Sequence, residues 1–169
     1  MIRVLDIIED TMVDGPGFRT SIYCAGCRHQ CPGCHNPQSW AFNQGREMDV
    51  DDLMKIIEAD PYANVTFSGG DPMFQAAGFA ELAREIHRRT NKDIWCFTGF
   101  TYESLITPEQ RELLEQLMYS SMVRSSRNCK TLTCSSEAAA TNVSSTCRPR
   151  STVVRWCFGI RILPLRSDK

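Results

Sequence analysis

Residues 20–34 of the chain read TSIYCAGCRHQCPGC, a strand pattern that runs directly into a cluster of cysteines. The segment Thr20–Cys24 alternates in the manner of a short β-strand. It is preceded by a DGPG turn signal at residues 14–17. The stretch therefore predicts a strand that ends in a cysteine-rich loop, and the rest of the fold is predicted outward from it.

On the carboxyl side of the loop, helix and strand patterns alternate. Asp49 is a candidate N-cap for a helix that closes at Asp60-Pro61. Strand patterns follow at 63–68 (ANVTFS) and 93–98 (DIWCFT). Two further helices are predicted from apolar residues at helical spacing, which are Phe79, Leu82, Ala83 and Ile86 in the first and Leu113, Leu114 and Leu117 in the second. This alternation predicts an α/β fold with a parallel sheet.

The bulk properties limit the function classes. The chain has 169 residues and a formal net charge of -1, which predicts one domain and gives no electrostatic case for nucleic acid or an anionic membrane. Acidic residues interrupt the apolar N-terminal stretch, unlike a signal peptide, and no apolar run reaches the ~18 residues of a membrane span. We therefore predict a cytoplasmic protein. Nine cysteines in a reducing compartment indicate metal rather than disulfides.

The cysteine cluster allows two kinds of metal site. Cys24, Cys27, Cys31 and Cys34 together supply the four ligands of a structural zinc site. Alternatively, Cys27, Cys31 and Cys34 hold three irons of a 4Fe–4S cluster, with Cys24 packed in the fold and the fourth iron open to a substrate. His29 and His35 are assigned to neither metal, since loop histidines beside a cluster more often donate hydrogen bonds to its surroundings or are simply solvated.

The CxxxCxxC spacing after a strand resembles the signature of the radical S-adenosylmethionine superfamily. Four further strings resemble its activating proteins for anaerobic ribonucleoside-triphosphate reductase, namely DGPGFR at 14–19, CPGCHNPQSW at 31–40, SGGDP at 68–72 and IWCFTGF at 94–100. The resemblance covers the first 117 residues. It implies a partial (β/α) barrel that binds a 4Fe–4S cluster through Cys27, Cys31 and Cys34 and places S-adenosylmethionine against the open iron.

The resemblance also implies an activity. The enzyme would reductively cleave S-adenosylmethionine to a 5′-deoxyadenosyl radical and generate a glycyl radical on the reductase, using a low-potential electron donor. Gly33, Cys34, His35, Gly69, Gly70 and Asp71 are the implied cofactor-binding residues. The CHNP string is shared with activases of formate lyases, which leaves that substrate open, and a non-catalytic zinc or iron–sulfur module is a third interpretation.

Three other features, which are the GGD sequence, Arg19 and the TGF turn, have ordinary structural interpretations. A GGD sequence after a strand is also an ordinary strand-to-helix turn, in which Asp71 favours the helix N-terminus and Pro72 its first turn. Arg19 is left unassigned, between a partner or cofactor contact and a surface salt bridge. The turn Thr98-Gly99-Phe100 is assigned no catalytic role.

Residues 118–169 have a different character from residues 1–117, which are the predicted radical S-adenosylmethionine domain. Serines occur in pairs and no helix or strand period is present, which predicts a poorly ordered segment. Cys129, Cys134, Cys147 and Cys157 lie there and are assigned no metal.

A frameshift near Leu117 is one hypothesis for this tail. Family members continue after the third helix with a strand that reads approximately DVLVDGPF, and later with FRGSSNQR. Codons allowed for residues 118–143, read one base upstream, encode DVLVDGPF followed by VEELQDLDLFFRGSSNQR without a stop. The alternative is a genuine divergent tail. A displaced frame implies that this polypeptide lacks the family's last strand and has impaired activity.

Overall fold

The computed structural model describes residues 1–117, 119–122, 155–156 and 160–161. Eight strands and three helices alternate along these residues. The strands are β1 (Ile2–Thr11), β2 (Arg19–Cys24), β3 (Arg46–Met48), β4 (Asn64–Gly69), β5 (Ile94–Thr98), β6 (Tyr119–Met122), β7 (Arg155–Trp156) and β8 (Ile160–Arg161), and the helices are α1 (Val50–Ala59), α2 (Ala76–Arg89) and α3 (Pro108–Gln116). The α/β class predicted from the sequence is confirmed.

Six strands form one mixed sheet in the order β3-β1-β2-β4-β5-β6. β2, β4, β5 and β6 run parallel, with Thr20 opposite Val65 and Val65 opposite Ile94. β1 is antiparallel to both of its neighbours. The prediction of a parallel sheet is therefore correct for four strands and wrong for the edge formed by β1 and β3. A hairpin turn at residues 12–18 joins β1 to β2, and this short connection permits only antiparallel pairing.

The first helix begins where the sequence predicts, and α3 has a capping box that was not predicted. Asp49 caps α1 by accepting a hydrogen bond from the Asp52 N–H at 2.8 Å, and Thr107 and Gln110 form a reciprocal capping box at α3. The four apolar residues predicted for α2 are all fully buried. They pack on β2, β4 and β5, whose Ile22, Phe67 and Ile94 belong to the same hydrophobic core.

Arg19 fixes the turn that follows β1, and its side chain is 0% exposed. Its guanidinium donates to Thr66 Oγ1 at 2.6 Å, to the Pro16 carbonyl at 3.0 Å and to the Val65 carbonyl at 2.7 Å, and it forms an ion pair with Asp93. A buried and fully hydrogen-bonded arginine is a structural residue. The structure therefore excludes a surface salt bridge for Arg19 and shows that it joins the DGPG turn to β4 and β5.

The tail is partly described. The backbone of β6 extends the parallel sheet beside β5, and β7 and β8 form a separate antiparallel pair. These short strands lie in the segment predicted to be poorly ordered, and β5 offers the edge that the backbone of β6 extends. Cys129, Cys134, Cys147 and Cys157 lie outside the described residues. Within the described ranges, no helix is long and apolar enough to cross a membrane.

Parallel pairing aligns the carboxyl ends of three central strands. β2 ends at Cys24, β4 at Gly69 and β5 at Thr98, and their registers place these ends at one edge of the sheet. Ligands of open α/β sheets bind beyond this edge. The cysteine loop, the glycine turn and the TGF turn all leave the sheet there.

Candidate metal centre

The cysteine loop leaves the sheet at Cys24, which is fully buried in the core. Burial raises the pKa of the Cys24 thiol far above its ordinary value. Cys27, Cys31 and Cys34 are instead half-buried, and none of these thiols is in a disulfide. Cys24 therefore packs as predicted, and three thiols, not four, belong to the loop.

Backbone contacts hold both ends of the loop. Gly26 N–H donates to the Ser39 carbonyl at 2.7 Å, and Cys27 N–H donates to the Trp40 carbonyl at 3.2 Å. Between Cys31 and Cys34 a turn closes through a 3.1 Å hydrogen bond. The loop is thus a closed unit whose base is hydrogen-bonded to the short helix at 37–40.

Gln30 and Gly33, between Cys27 and Cys34, have left-handed backbone conformations that reverse the direction of the loop. Gln30 has φ +48° and Gly33 has φ +75°. Glycine accepts such a value readily, whereas the side chain of Gln30 makes it unfavourable. A Cβ added at Gly33 would meet no atom within 4 Å. Gly33 is therefore required by its backbone conformation and not by close packing within the protein.

The charge environment of Cys27 differs from that of a solvated thiol. Burial is the largest cause that raises its pKa; the backbone N–H of His29 opposes this rise, and the charges of Asp71, Cys31 and Cys34 add to it. Three thiolates in one loop repel one another, so a cationic metal centre is needed to keep them deprotonated together.

The glycine turn is built for a close approach between backbones. Cβ atoms added at Gly69 and Gly70 would lie 2.5 Å from the Cys24 nitrogen and 2.5 Å from the Gly26 carbonyl oxygen. Gly70 N–H donates to the Cys24 carbonyl at 2.7 Å, and Asp71 N–H donates to the Gly26 carbonyl at 3.0 Å. Because these glycines lack side chains, the end of β4 contacts residues 24–26, where the cysteine loop begins. Their predicted cofactor contacts stay predictions.

Asp71 is 1% exposed and its carboxylate accepts hydrogen bonds from four groups of the protein. Oδ1 accepts from Met73 N–H at 3.0 Å and from the Thr98 hydroxyl at 2.9 Å. Oδ2 accepts from Gly99 N–H at 2.8 Å and from His29 Nε2 at 2.9 Å. The interpretation of GGD as a strand-to-helix turn is therefore correct, since Asp71 caps the short helix at 72–75. The predicted contact of Asp71 with the cofactor stays untested.

His29 lies in an aromatic cluster, which comprises His29, Phe42, Phe74 and Phe100. The imidazole is 4.7 Å from the Phe100 ring and 5.4 Å from the Phe74 ring, centroid to centroid. Phe74 also contacts Phe42 at 5.8 Å, and the Arg28 guanidinium lies over Phe42 at 5.3 Å. His29 is half-buried in this cluster, whereas its loop neighbours Arg28 and Gln30, and Gly33 and His35 further along the chain, are exposed.

The sequence analysis missed the contribution of the TGF turn. Thr98 and Gly99 both donate to Asp71, and Phe100 stacks on His29. Gln75 was also missed; its amide donates to the carbonyls of Arg3 and Ala25 and so ties β1 to the loop. The position of TGF directly after a strand, at the same sheet edge as the cysteines, is the signal that points to this contribution.

The donor set fits an iron–sulfur cluster. Within the part of the chain that the structure describes, no three His, Cys, Asp or Glu side chains converge as ligands of a single metal ion. A cubane cluster differs in that it distributes its protein ligands over separate irons. Soft thiolates from one loop are the ligands that such clusters take, and three of them leave one iron without a protein ligand.

Comparisons with known proteins agree with this assignment. Residues 13–140 match the family model of the 4Fe-4S single cluster domain. The anaerobic ribonucleoside-triphosphate reductase-activating protein of Salmonella typhimurium is 35% identical over a match that covers 56% of this chain and 66% of that protein. The protein of the same name from Vibrio cholerae is 34% identical, with 59% and 69% covered. The chain thus spans about two thirds of the length of these relatives.

A third relative has a different name. The pyruvate formate-lyase-activating enzyme of Clostridium pasteurianum is 38% identical over 44% of this chain and 34% of that enzyme. The family model covers more than half of the chain, and the Vibrio cholerae match exceeds two thirds of that protein. The chain therefore belongs to the 4Fe-4S single cluster domain family, as a member of the group of anaerobic ribonucleoside-triphosphate reductase-activating proteins.

Proposed function

We propose that the chain is a radical S-adenosylmethionine enzyme that activates an anaerobic ribonucleoside-triphosphate reductase by generating a glycyl radical on it. One observation carries the proposal: Cys27, Cys31 and Cys34 are the half-buried, unpaired thiols of a single loop at the carboxyl edge of the sheet. A cluster bound there would supply one electron to cleave a carbon–sulfur bond of S-adenosylmethionine, with methionine released.

The chain's own residues would bind and orient the reactants. The three thiolates would hold the cluster. Gly69 and Gly70 keep the end of β4 close to residues 24–26, where the cysteine loop begins. Gly33, Cys34, His35 and Asp71 complete the proposed cofactor-binding set. We further propose that the sheet curves as a partial barrel around this site, and that a low-potential donor reduces the cluster.

A second candidate is activation of a formate lyase. The Clostridium pasteurianum enzyme favours it, because its 38% identity exceeds that of the Salmonella typhimurium and Vibrio cholerae relatives. The match covers a smaller share of both proteins, which favours the reductase. Mixing the reduced chain with each purified partner and recording the glycyl-radical signal by electron paramagnetic resonance distinguishes the two substrates.

The first experiment is anaerobic reconstitution with iron and sulfide, followed by dithionite and S-adenosylmethionine. We expect 5′-deoxyadenosine from the wild type and none from Cys31→Ala. Cys24→Ala is the matched control, because Cys24 lies in the core and not in the ligand set, and it should retain product. Zinc in place of iron, or loss of metal in both variants, would contradict the proposal.

A further inference from the structure

His29 lies in the cysteine loop, two residues after Cys27 and two before Cys31, and contacts two other segments, which are residues 71–74 and the TGF turn. Its Nε2 is 2.9 Å from Asp71 Oδ2. Its ring packs on Phe74 and Phe100. A Cβ added at Gly99 would lie 2.7 Å from its Cδ2, which shows how closely the TGF turn approaches the ring.

The hydrogen-bond arrangement fixes which atom of the pair donates. Asp71 Oδ2 already accepts from Gly99 N–H, and the carboxylate is shielded from solvent. A carboxylate has only acceptor sites, so His29 must donate from Nε2. Histidines that orient metal sites commonly donate to a carboxylate in this way. Here the imidazole belongs to the loop of the thiols, and the carboxylate belongs to the sheet edge.

We propose that His29 is a positioning residue, which fixes the cysteine loop to the ends of β4 and β5 through Asp71. The proposal rests on the proposed function, since it concerns the thiols that would hold the cluster. It gives Asp71 a role within the protein, distinct from the cofactor contact implied by the resemblance.

The strained backbone beside His29 supports this role. Gln30 has φ +48°, an unfavourable value for a residue with a side chain. Such a conformation persists only where the surroundings enforce it. The hydrogen bond to Asp71 and the packing on Phe74 and Phe100 act on the residue immediately before Gln30. They therefore hold the reversal of the chain that brings Cys31 back towards Cys27.

Three variants and one control test the proposal. His29→Phe keeps a ring in the aromatic cluster and removes the donor, whereas His29→Gln keeps a donor. Gly99→Ala leaves His29 and Asp71 unchanged and displaces the imidazole. His87→Phe is the matched control, since His87 is exposed on α2 and contacts the Gln116 carbonyl.

The first readout needs no cluster. Alkylation of Cys27, Cys31 and Cys34 in the metal-free chain, followed by peptide mass spectrometry, reports how firmly the loop is held, with the buried Cys24 as internal reference. We expect about tenfold faster alkylation in His29→Phe and Gly99→Ala, the factor that one hydrogen bond to a charged group supplies. His29→Gln should restore much of the protection. The urea unfolding midpoint should change little in any of these variants.

The second readout is the reconstituted cluster. His29→Phe should bind iron about 10–100-fold more weakly, as expected when a residue that orients a ligand is lost, and should alter the electron paramagnetic resonance spectrum of the reduced cluster. Unchanged alkylation and spectrum in His29→Phe would overturn the proposal. The proposal would also be overturned if Gly99→Ala increased the alkylation rate equally in wild type and in a His29→Ala background. The substitution at Gly99 would then act on the loop without displacing His29. If His29→Phe unfolds, Gly99→Ala alone decides between these outcomes.

These results separate the two proposals. If the wild type forms no cluster, or forms one without cleaving S-adenosylmethionine, the proposed function fails. Protection of the thiols by His29 in the metal-free chain would still establish the positioning role. If product forms equally in wild type and His29→Phe and the thiols react at the same rate, the function stands and the positioning role fails.

Discussion

At the scale of single residues, buried polar side chains connect the ends of the central strands. Arg19 hydrogen-bonds across the amino end of the sheet, and Asp71 does the same at the carboxyl end. Each is almost completely buried, so each must satisfy its donors or acceptors within the protein. The stability of this sheet thus depends on two polar residues as well as on its apolar core.

Replacement of Arg19 should be severely destabilising. Arg19→Met keeps the aliphatic bulk but leaves Asp93 and the Val65 and Pro16 carbonyls without their donor. We expect a loss of about 3 kcal/mol in the free energy of unfolding, measured in urea. Arg88→Met is the control, and the loss of its exposed ion pair with Glu85 should change the midpoint little. Equal midpoints for the two variants would contradict the structural role of Arg19.

Gln30 offers a test of the loop's backbone. A β-branched residue is disfavoured at φ +48°, so Gln30→Val should destabilise the loop by about 1–2 kcal/mol and lower the iron retained after reconstitution. Gln30→Asn should be tolerated, because asparagine adopts this conformation more readily. Gln38→Val, in the neighbouring short helix, serves as the control. Retention of full iron content by Gln30→Val would show that the left-handed turn is not required.

The cysteines were predictable and their supporting contacts were not. Spacing along the chain is enough to single out Cys27, Cys31 and Cys34. The partners of Asp71 come from residues 42 positions earlier and 27 positions later. No local pattern encodes such contacts, since only the parallel registers of β2, β4 and β5 bring them together. For the same reason Arg19 was unassigned until its burial was known.

At the scale of elements, regular periodicity decided what could be predicted. The helices have clear apolar faces and capping residues, and the central strands are short apolar runs between turn signals. β1 escaped prediction because its pairing with β2 is irregular between Val4 and Asp6 and between Ile8 and Thr11. These shifts break the alternation on which a strand prediction depends. β3 has three residues, too few to show a period.

The end of α2 carries a pH-dependent ion pair. Hydrogen bonds from Arg88 and then Arg89 lower the pKa of Glu85 from 4.5 to about 2. A carboxyl group whose pKa is lowered on folding stabilises the protein above its unfolded pKa and loses that contribution as the pH falls towards the folded value. Glu85→Gln should therefore lower the urea midpoint at pH 7, with a difference that shrinks between pH 4.5 and 2.

The stabilisation by the Glu85 carboxylate should also weaken at high salt, because Glu85, Arg88 and Arg89 all lie at the surface. Measuring the midpoints of wild type and Glu85→Gln in 0.1 M and ~1 M sodium chloride checks this expectation. A difference between the two proteins that is independent of pH would show that the effect comes from helix propensity and not from the carboxylate charge.

At the scale of the whole molecule, residues 1–117 form a continuous core, and the tail raises a different question. β6 extends the sheet at residues 119–122, where the sequence reads YSSM. Parallel strands are usually rich in Val, Ile and Leu. With suitably chosen codons, the frame shifted by one base reads VLVD at the same four positions. In that frame the backbone position of β6 would coincide with an apolar strand.

We propose that the gene, or its determination, gained or lost bases near Leu117. Resequencing from an independent isolate is the direct measurement, and we expect the frame that encodes DVLVDGPF and FRGSSNQR. A chain carrying the restored segment should be more stable than the present one by about 3 kcal/mol, since a strand with buried Leu and Val replaces one with two serines. It should also form more 5′-deoxyadenosine per cluster if the last strand supports the cofactor site. An intact frame that encodes the present tail, in a chain as stable as the restored one, would show that this protein has replaced the last strand of its family with a genuinely different sequence.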